Sequence, residues 1–64
     1  MAEALLSVDE VAAYLAVPVA TVYRWRTHGS GPRGVRVGRY VRYRRADVEA
    51  WLDAQYDRDR TPAA

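Results

Sequence analysis

Eight arginines lie between Val11 and Ala46, and that stretch contains no aspartate or glutamate. All eight acidic residues of the chain lie outside it, so the overall net charge of +2 combines a middle segment of +8 with ends that sum to −6. The chemistry open to such a segment is the binding of phosphate. Because closely spaced like charges repel each other, the segment favours an external polyanion as its partner. Double-stranded DNA is the first hypothesis.

Composition excludes several other kinds of protein. A chain of 64 residues builds one domain with a small core. It has no cysteine and a single histidine, which disfavours disulfides, metal sites and cofactors. Paired histidines, a phosphate-cradling glycine loop and room for a closed pocket are all missing, so we expect no enzyme. The chain has no apolar run of membrane-spanning length and no signal-peptide pattern, which predicts a cytoplasmic protein.

Two short helices are predicted before the arginine-rich segment ends. Ser7 and Glu10 have the spacing of a capping box, and the apolar residues that follow predict a helix over 8–15. Proline at position 18 suits the first turn of a second helix, predicted over 18–27. Val22 and Trp25 are its inward residues, helped by Val19 or Ala20.

A β-hairpin is predicted at about 34–44 from the strand period of two. A three-residue turn at 38–40 would place four apolar side chains on one face, namely Val35, Val37, Val41 and Tyr43. Arg36 would then lie directly across from Arg42. Opposed like charges destabilise a ladder, so this arrangement favours a surface that binds phosphates.

The last helix is predicted over 45–56, with Val48, Trp51 and Leu52 facing inward. Residues 57–64 lack apolar anchors and are expected to form a disordered tail beyond a domain of residues 1–56. Three aspartates lie in or just before this tail, namely Asp53, Asp57 and Asp59. We interpret them as a solvated acidic face and not as metal ligands. The order of elements predicts a small α+β fold, mostly α, of winged helix-turn-helix type.

Two runs of sequence carry a family resemblance. LLSVDEVAAYLAVPVATVYRWRTHG and VRVGRYVRYRRADVEAWL resemble the excisionase and MerR-like winged helix-turn-helix family of phage, plasmid and actinobacterial DNA-binding proteins. The most specific parts are ATVYRW, RVGR and DVEAWL. The resemblance implies an architectural protein that binds and bends attachment-site DNA and directs a partner integrase toward excision. It also implies head-to-tail self-association on direct repeats.

Two residues depart from the family pattern. Ala16 occupies a turn position that is usually glycine, and it would be strained by about 1–2 kcal/mol in the left-handed conformation. Pro18 replaces the usual capping serine, so one polar group that reaches phosphate is lost. These changes shift the expected DNA contacts toward the later residues of the second helix.

The candidate DNA contacts fall into two groups. The recognition-helix group is Thr21, Tyr23, Arg24, Thr27 and His28, and the wing group is Arg36, Arg39, Tyr40, Arg42 and Arg44. Arg24 suits either the guanine acceptors or a phosphate, and Arg39 at the hairpin tip suits the minor groove. His28 favours a helix-end role over a contact. Three further cations were expected to stay solvated or distant, namely Arg26, Arg33 and Arg45.

Two other functions remain open from the residues. A small transcriptional activator or repressor would present the same DNA-reading surface as an excisionase. A protein-interaction module such as an antitoxin would instead use the acidic carboxyl end as its contact.

Overall fold

The structure, a computed structural model, describes residues 4–59, with the side chains of residues 4–56. Its elements are β1 (Leu6–Ser7), α1 (Val8–Leu15), α2 (Val19–His28), β2 (Val35–Val37), β3 (Tyr40–Tyr43) and α3 (Arg45–Asp59). The three strands form one antiparallel sheet in the order β1-β3-β2. This is the predicted winged helix-turn-helix fold.

Helix α1 begins and ends where the sequence predicts, and its capping box is present. The backbone N–H of Ser7 donates to Oε1 of Glu10 at 2.8 Å, and the N–H of Glu10 donates to Oγ of Ser7 at 3.1 Å. These reciprocal bonds satisfy donors that the first turn leaves free. At its other end Ala16 adopts the left-handed conformation (φ 58°, ψ 45°), which is the strained geometry that the sequence raised.

Helix α2 runs one residue later than predicted. Pro18 has extended backbone angles (φ −63°, ψ 148°) and lies immediately before the helix, not in its first turn. Val22 is fully buried, whereas Val19 and Ala20 are exposed and add little to the core. Gly29, in the left-handed region, ends the helix after His28.

The predicted register of the hairpin is wrong by one residue. The turn has two residues, Gly38 and Arg39, and Val37 pairs with Tyr40. Only the first of the two turn residues has positive φ, as a type II′ turn requires. A slip of one residue moves a whole strand's side chains to the opposite face. Arg36 therefore pairs with Val41 and does not lie opposite Arg42.

Each face of the hairpin consequently differs from the prediction. The inner face, which packs against the helices, carries Arg36, Val41 and Tyr43. The outer face carries the valines of β2, both about half exposed, with Tyr40 and Arg42. Strand β1, which was not predicted, pairs Leu6 with Tyr43 and places both side chains in the core.

The core joins all the layers of the fold. The core cluster consists of the buried residues Leu6, Val8, Val11, Ala12, Val22, Tyr43 and Val48. Pro32, in the loop before β2, is also buried. Partly buried Leu15, Val17, Trp25 and Val41 pack around them. The ring centroids of Trp25 and Trp51 are 5.0 Å apart at an interplanar angle of 48°, so both tryptophans serve packing, as predicted.

Helix α3 continues to Asp59, three residues past its predicted end. The tail predicted from position 57 therefore begins inside this helix. Residues 60–64 of that predicted tail lie outside the described residues.

Candidate nucleic-acid interface

Three of the predicted helix contacts share the outward face of α2. Successive helical residues are rotated by about 100°, which places Tyr23, Arg24 and Thr27 at roughly 100° to 200° from the buried Val22. All three side chains are exposed. They form one continuous surface that a groove of DNA can receive.

The other two predicted helix contacts lie on a different flank of α2. Thr21 and His28 are rotated by roughly 240° to 260° from Val22, on the side where Trp25 turns toward α3. Thr21 is half-buried, and His28 is exposed at the last residue of the helix. The structure therefore does not bring them together with Tyr23 on one face.

The Thr27 hydroxyl is already engaged within the helix. Its Oγ1 donates to the carbonyl oxygen of Tyr23 at 3.1 Å, one turn earlier. The proton is thus occupied, and the methyl group and an acceptor lone pair are what Thr27 offers to a ligand.

The tip of the hairpin and α2 border one concave surface. This depression is lined by Tyr23, by the chain around the start of α1 (Ser7, Val8 and Asp9), and by residues 39–42 of the hairpin. Arg39, in the turn, is exposed at its rim. We use the name wing for residues 35–43, as in other winged helix-turn-helix folds.

The predicted wing arginines point in different directions. Arg36 lies on the inner face beside Val41, and Arg42 lies on the outer face. The Arg42 guanidinium is 5.0 Å from the ring centroid of Tyr40, and its Nη1 donates to the Val41 carbonyl oxygen at 2.9 Å. This stacking holds both outer-face side chains in place. Arg44 is exposed just beyond β3.

Arg26, which the sequence predicts to be solvated off the recognition face, is exposed, and its guanidinium reaches from α2 toward Gly34, just before the wing. A Cβ atom on Gly34 would lie 2.9 Å from Cε2 of Tyr43 and 3.2 Å from Nη1 of Arg26, so both groups meet over this glycine. Burial raises the pKa of the Tyr43 phenol; the Arg26 charge partly opposes that rise and Tyr23 adds to it. Helical spacing places Arg26 only about 40° from the buried Val22, and this position indicates from the sequence that the side chain starts on the core side of α2.

Arg45 also has a local partner. Its guanidinium lies 5.6 Å from the ring centroid of Tyr14, which stacks α3 against α1. This contact lies at the α1–α3 junction, and the expectation that Arg45 adds only distant charge stays a prediction.

Among the side chains of residues 4–56, histidine and the acidic residues do not form a group of three or more that could hold a metal ion. No helix in that part of the chain has the length and apolarity needed to cross a membrane.

The fold and the site together define a winged helix-turn-helix domain with a basic wing. The profile of the helix-turn-helix domain family matches residues 5–56, which is most of the chain. The chain therefore belongs to this family, which includes excisionase-like DNA-binding proteins, and it is a DNA-binding domain. Neither the curated proteins nor the solved structures gave a match.

Proposed function

We propose that this protein is an excisionase-like factor that binds and bends double-stranded DNA and directs an integrase toward excision. The observation that carries the proposal is the concave surface shared by α2 and the tip of the wing. A helix beside a basic β-ribbon fits a major groove and the neighbouring minor groove. Family membership supports the same reading, since excisionase-like proteins belong to this family.

Each group of side chains has a part in this binding mode. Arg24, on the outward face of α2, donates to guanine acceptors, and Arg39 enters the minor groove from the turn of the wing. Phosphate contacts are assigned to Tyr23, which lines the concave surface, and to Arg36, which is exposed on the inner face of the wing. Thr27 offers its methyl group to a thymine. Thr21 and His28, on the flank of the helix, are assigned contacts to the DNA backbone.

Several copies are needed for specificity because one short helix reads few bases. Glu49 and Asp53 are exposed one turn apart on α3. This acidic face is complementary in charge to the basic wing of a neighbouring copy. We propose head-to-tail assembly on direct repeats, and the bend it imposes would let the integrase bridge its sites.

Salt dependence tests the DNA-binding mode. With about six phosphates neutralised, the slope of log affinity against log salt is expected near −5. Arg24→Ala and Arg39→Ala should each weaken binding by about fivefold or more, since a good base-edge contact is worth about 1–3 kcal/mol. Arg45→Ala, which removes the same charge from the α1–α3 contact, is the matched control. A slope near zero in a fluorescence-anisotropy titration of the wild type contradicts the mode.

A recombination assay tests the finer claim. Integrase and attachment-site DNA are incubated with and without the protein, and the yield of excised product is measured. Equal yields would contradict the excisionase function without contradicting DNA binding. A transcription reporter assay would then test whether the protein is a transcriptional regulator. An antitoxin-like module predicts another pattern: truncation after Gln55 abolishes activity, and the two arginine variants keep it.

A further inference from the structure

A second group of cations surrounds the base of the wing, away from its tip. One depression is lined by Arg26 and by the loop from Gly29 to Gly34. An adjoining depression is lined by Arg33, Gly34, Val35, Arg44 and Asp47. The two depressions share Arg33 and Gly34, so three arginines line one continuous surface around this glycine. We call Arg26, Arg33 and Arg44 the base patch.

The base patch is separate from the surface described above. The tip of the wing begins four residues after Gly34, a distance of roughly 13 Å along an extended strand. None of the three arginines lines the depression between α2 and the tip. Arg39 and the base patch are therefore placed to bind different phosphates.

The loop that carries the patch is held in place by packing. Gly31 has φ +78°, and a Cβ there would lie 2.7 Å from Cβ of Trp25, so the loop lies directly against the tryptophan. The N–H of Ser30 donates to the Trp25 carbonyl oxygen at 2.8 Å. The guanidinium of Arg26 lies close to Gly34 beside Tyr43. The backbone that carries Arg33 is thus positioned by the fold, while the side chains of the three arginines are exposed.

The length of α2 indicates what reaches this patch. Ten helical residues extend about 15 Å, whereas the major groove is about 12 Å wide. A helix of that length lying across the groove brings its last turn and the following loop to the phosphates at the groove's edge. The geometry points to a second phosphate-binding surface at the base patch, which extends the footprint along the backbone on the carboxyl side of α2. The inference rests on the proposed DNA binding.

The test measures salt slopes on a duplex of about 30 base pairs of arbitrary sequence, because backbone contacts do not depend on sequence. Arg33→Ala and Arg44→Ala should each make the slope less steep by about 1. Arg45→Ala, with the same loss of charge, should leave the slope unchanged. Circular dichroism confirms that each variant is folded.

Asp47→Asn gives a readout in the opposite direction. Its carboxylate lines the same depression as Arg33 and Arg44 and repels phosphate there. Its removal should tighten binding by up to about fivefold, the range of a surface charge pair. A destabilised fold would not produce a gain.

The outcomes separate the two claims. If the wild type shows no salt-dependent binding, the DNA-binding mode itself fails. If the wild type binds with a steep slope, the base patch is overturned by arginine variants whose slopes match the wild type, or by Asp47→Asn binding that does not tighten.

Discussion

The two helices of the helix-turn-helix are stabilised in different ways. Helix α1 has a complete capping box, acidic residues in its first turn, and three of its eight residues buried. Helix α2 is preceded by Pro18, which supplies no side-chain cap, and Val22 is the one residue buried among its ten. Local hydrogen bonds and burial thus act together in α1, whereas α2 depends on a few tertiary contacts.

The difference shows that α1 contributes mainly to stability, whereas α2 keeps exposed groups available for binding. The start of α2 has no side-chain cap, and the side chains of Tyr23 and Arg24 on its outward face are exposed. Its position is set instead by Val22 against the core and by Trp25 between Trp51 and the loop at Gly31. Helix α2, to which the proposed function assigns the reading of DNA, is therefore oriented by its neighbours.

The largest expected effect is at the contact that holds α2. Trp25→Ala should lower the free energy of unfolding by about 3–5 kcal/mol, because it removes a large packed ring and leaves a cavity beside Trp51. In a domain of this size that loss approaches the total stability. Urea denaturation followed by circular dichroism measures it.

Tyr23→Ala is the matched control on the same helix. Its ring is 53% exposed, so the stability should change little while affinity for DNA falls. Equal destabilisation by the two variants would contradict the view that α2 is held through Trp25.

A smaller effect is expected at the cap of α1. Ser7→Ala should cost about 1 kcal/mol of unfolding free energy, because the Glu10 amide loses its acceptor. Ser30→Ala is the control, since the Ser30 hydroxyl makes only a long 3.5 Å bond to the Trp25 carbonyl oxygen. If both serine variants have the same urea midpoint of unfolding as the wild type, the capping box does not stabilise α1.

The smallest effect is a gain in stability at the end of α1. Ala16→Gly should raise the unfolding free energy by about 0.5–1 kcal/mol, since relief of left-handed strain exceeds the entropy that glycine costs. The same change at Ala13, an exposed residue within α1, should lower the unfolding free energy by about 1 kcal/mol. Differential scanning calorimetry distinguishes the opposite signs, and shifts of equal sign would rule out strain at Ala16.

The local signals in the sequence predicted the helices well. The capping box at Ser7 placed the start of α1, and Leu15 before the Ala16–Pro18 interruption placed its end. The outward face of α2 around Arg24 also followed from helical spacing. The positions of Thr21 and His28 on another flank were available from the same spacing, and grouping them with Tyr23 overlooked it.

The hairpin register could not be read from its own residues. Gly38 suits a two-residue or a three-residue turn, and both keep apolar residues alternating along each strand. The choice depends on β1, since Leu6 pairs with Tyr43 and buries it from outside the hairpin. A strand of two residues has no period to detect. The proximity of Arg26 to Gly34 and Tyr43 was not predicted, because these residues belong to segments that only the folded chain brings close.

Strand β2 lies at one border of the sheet, with Val35 and Val37 facing outward. An edge strand of this kind offers unpaired backbone groups and apolar side chains to any other extended chain, which is a route to aggregation. Three residues make a short template, and the charge of Arg36 between the two valines repels a second copy of the same strand. Arg36, to which the proposed function assigns a phosphate contact, would thus also protect solubility, so replacing Arg36 by valine should lower the concentration at which the protein precipitates.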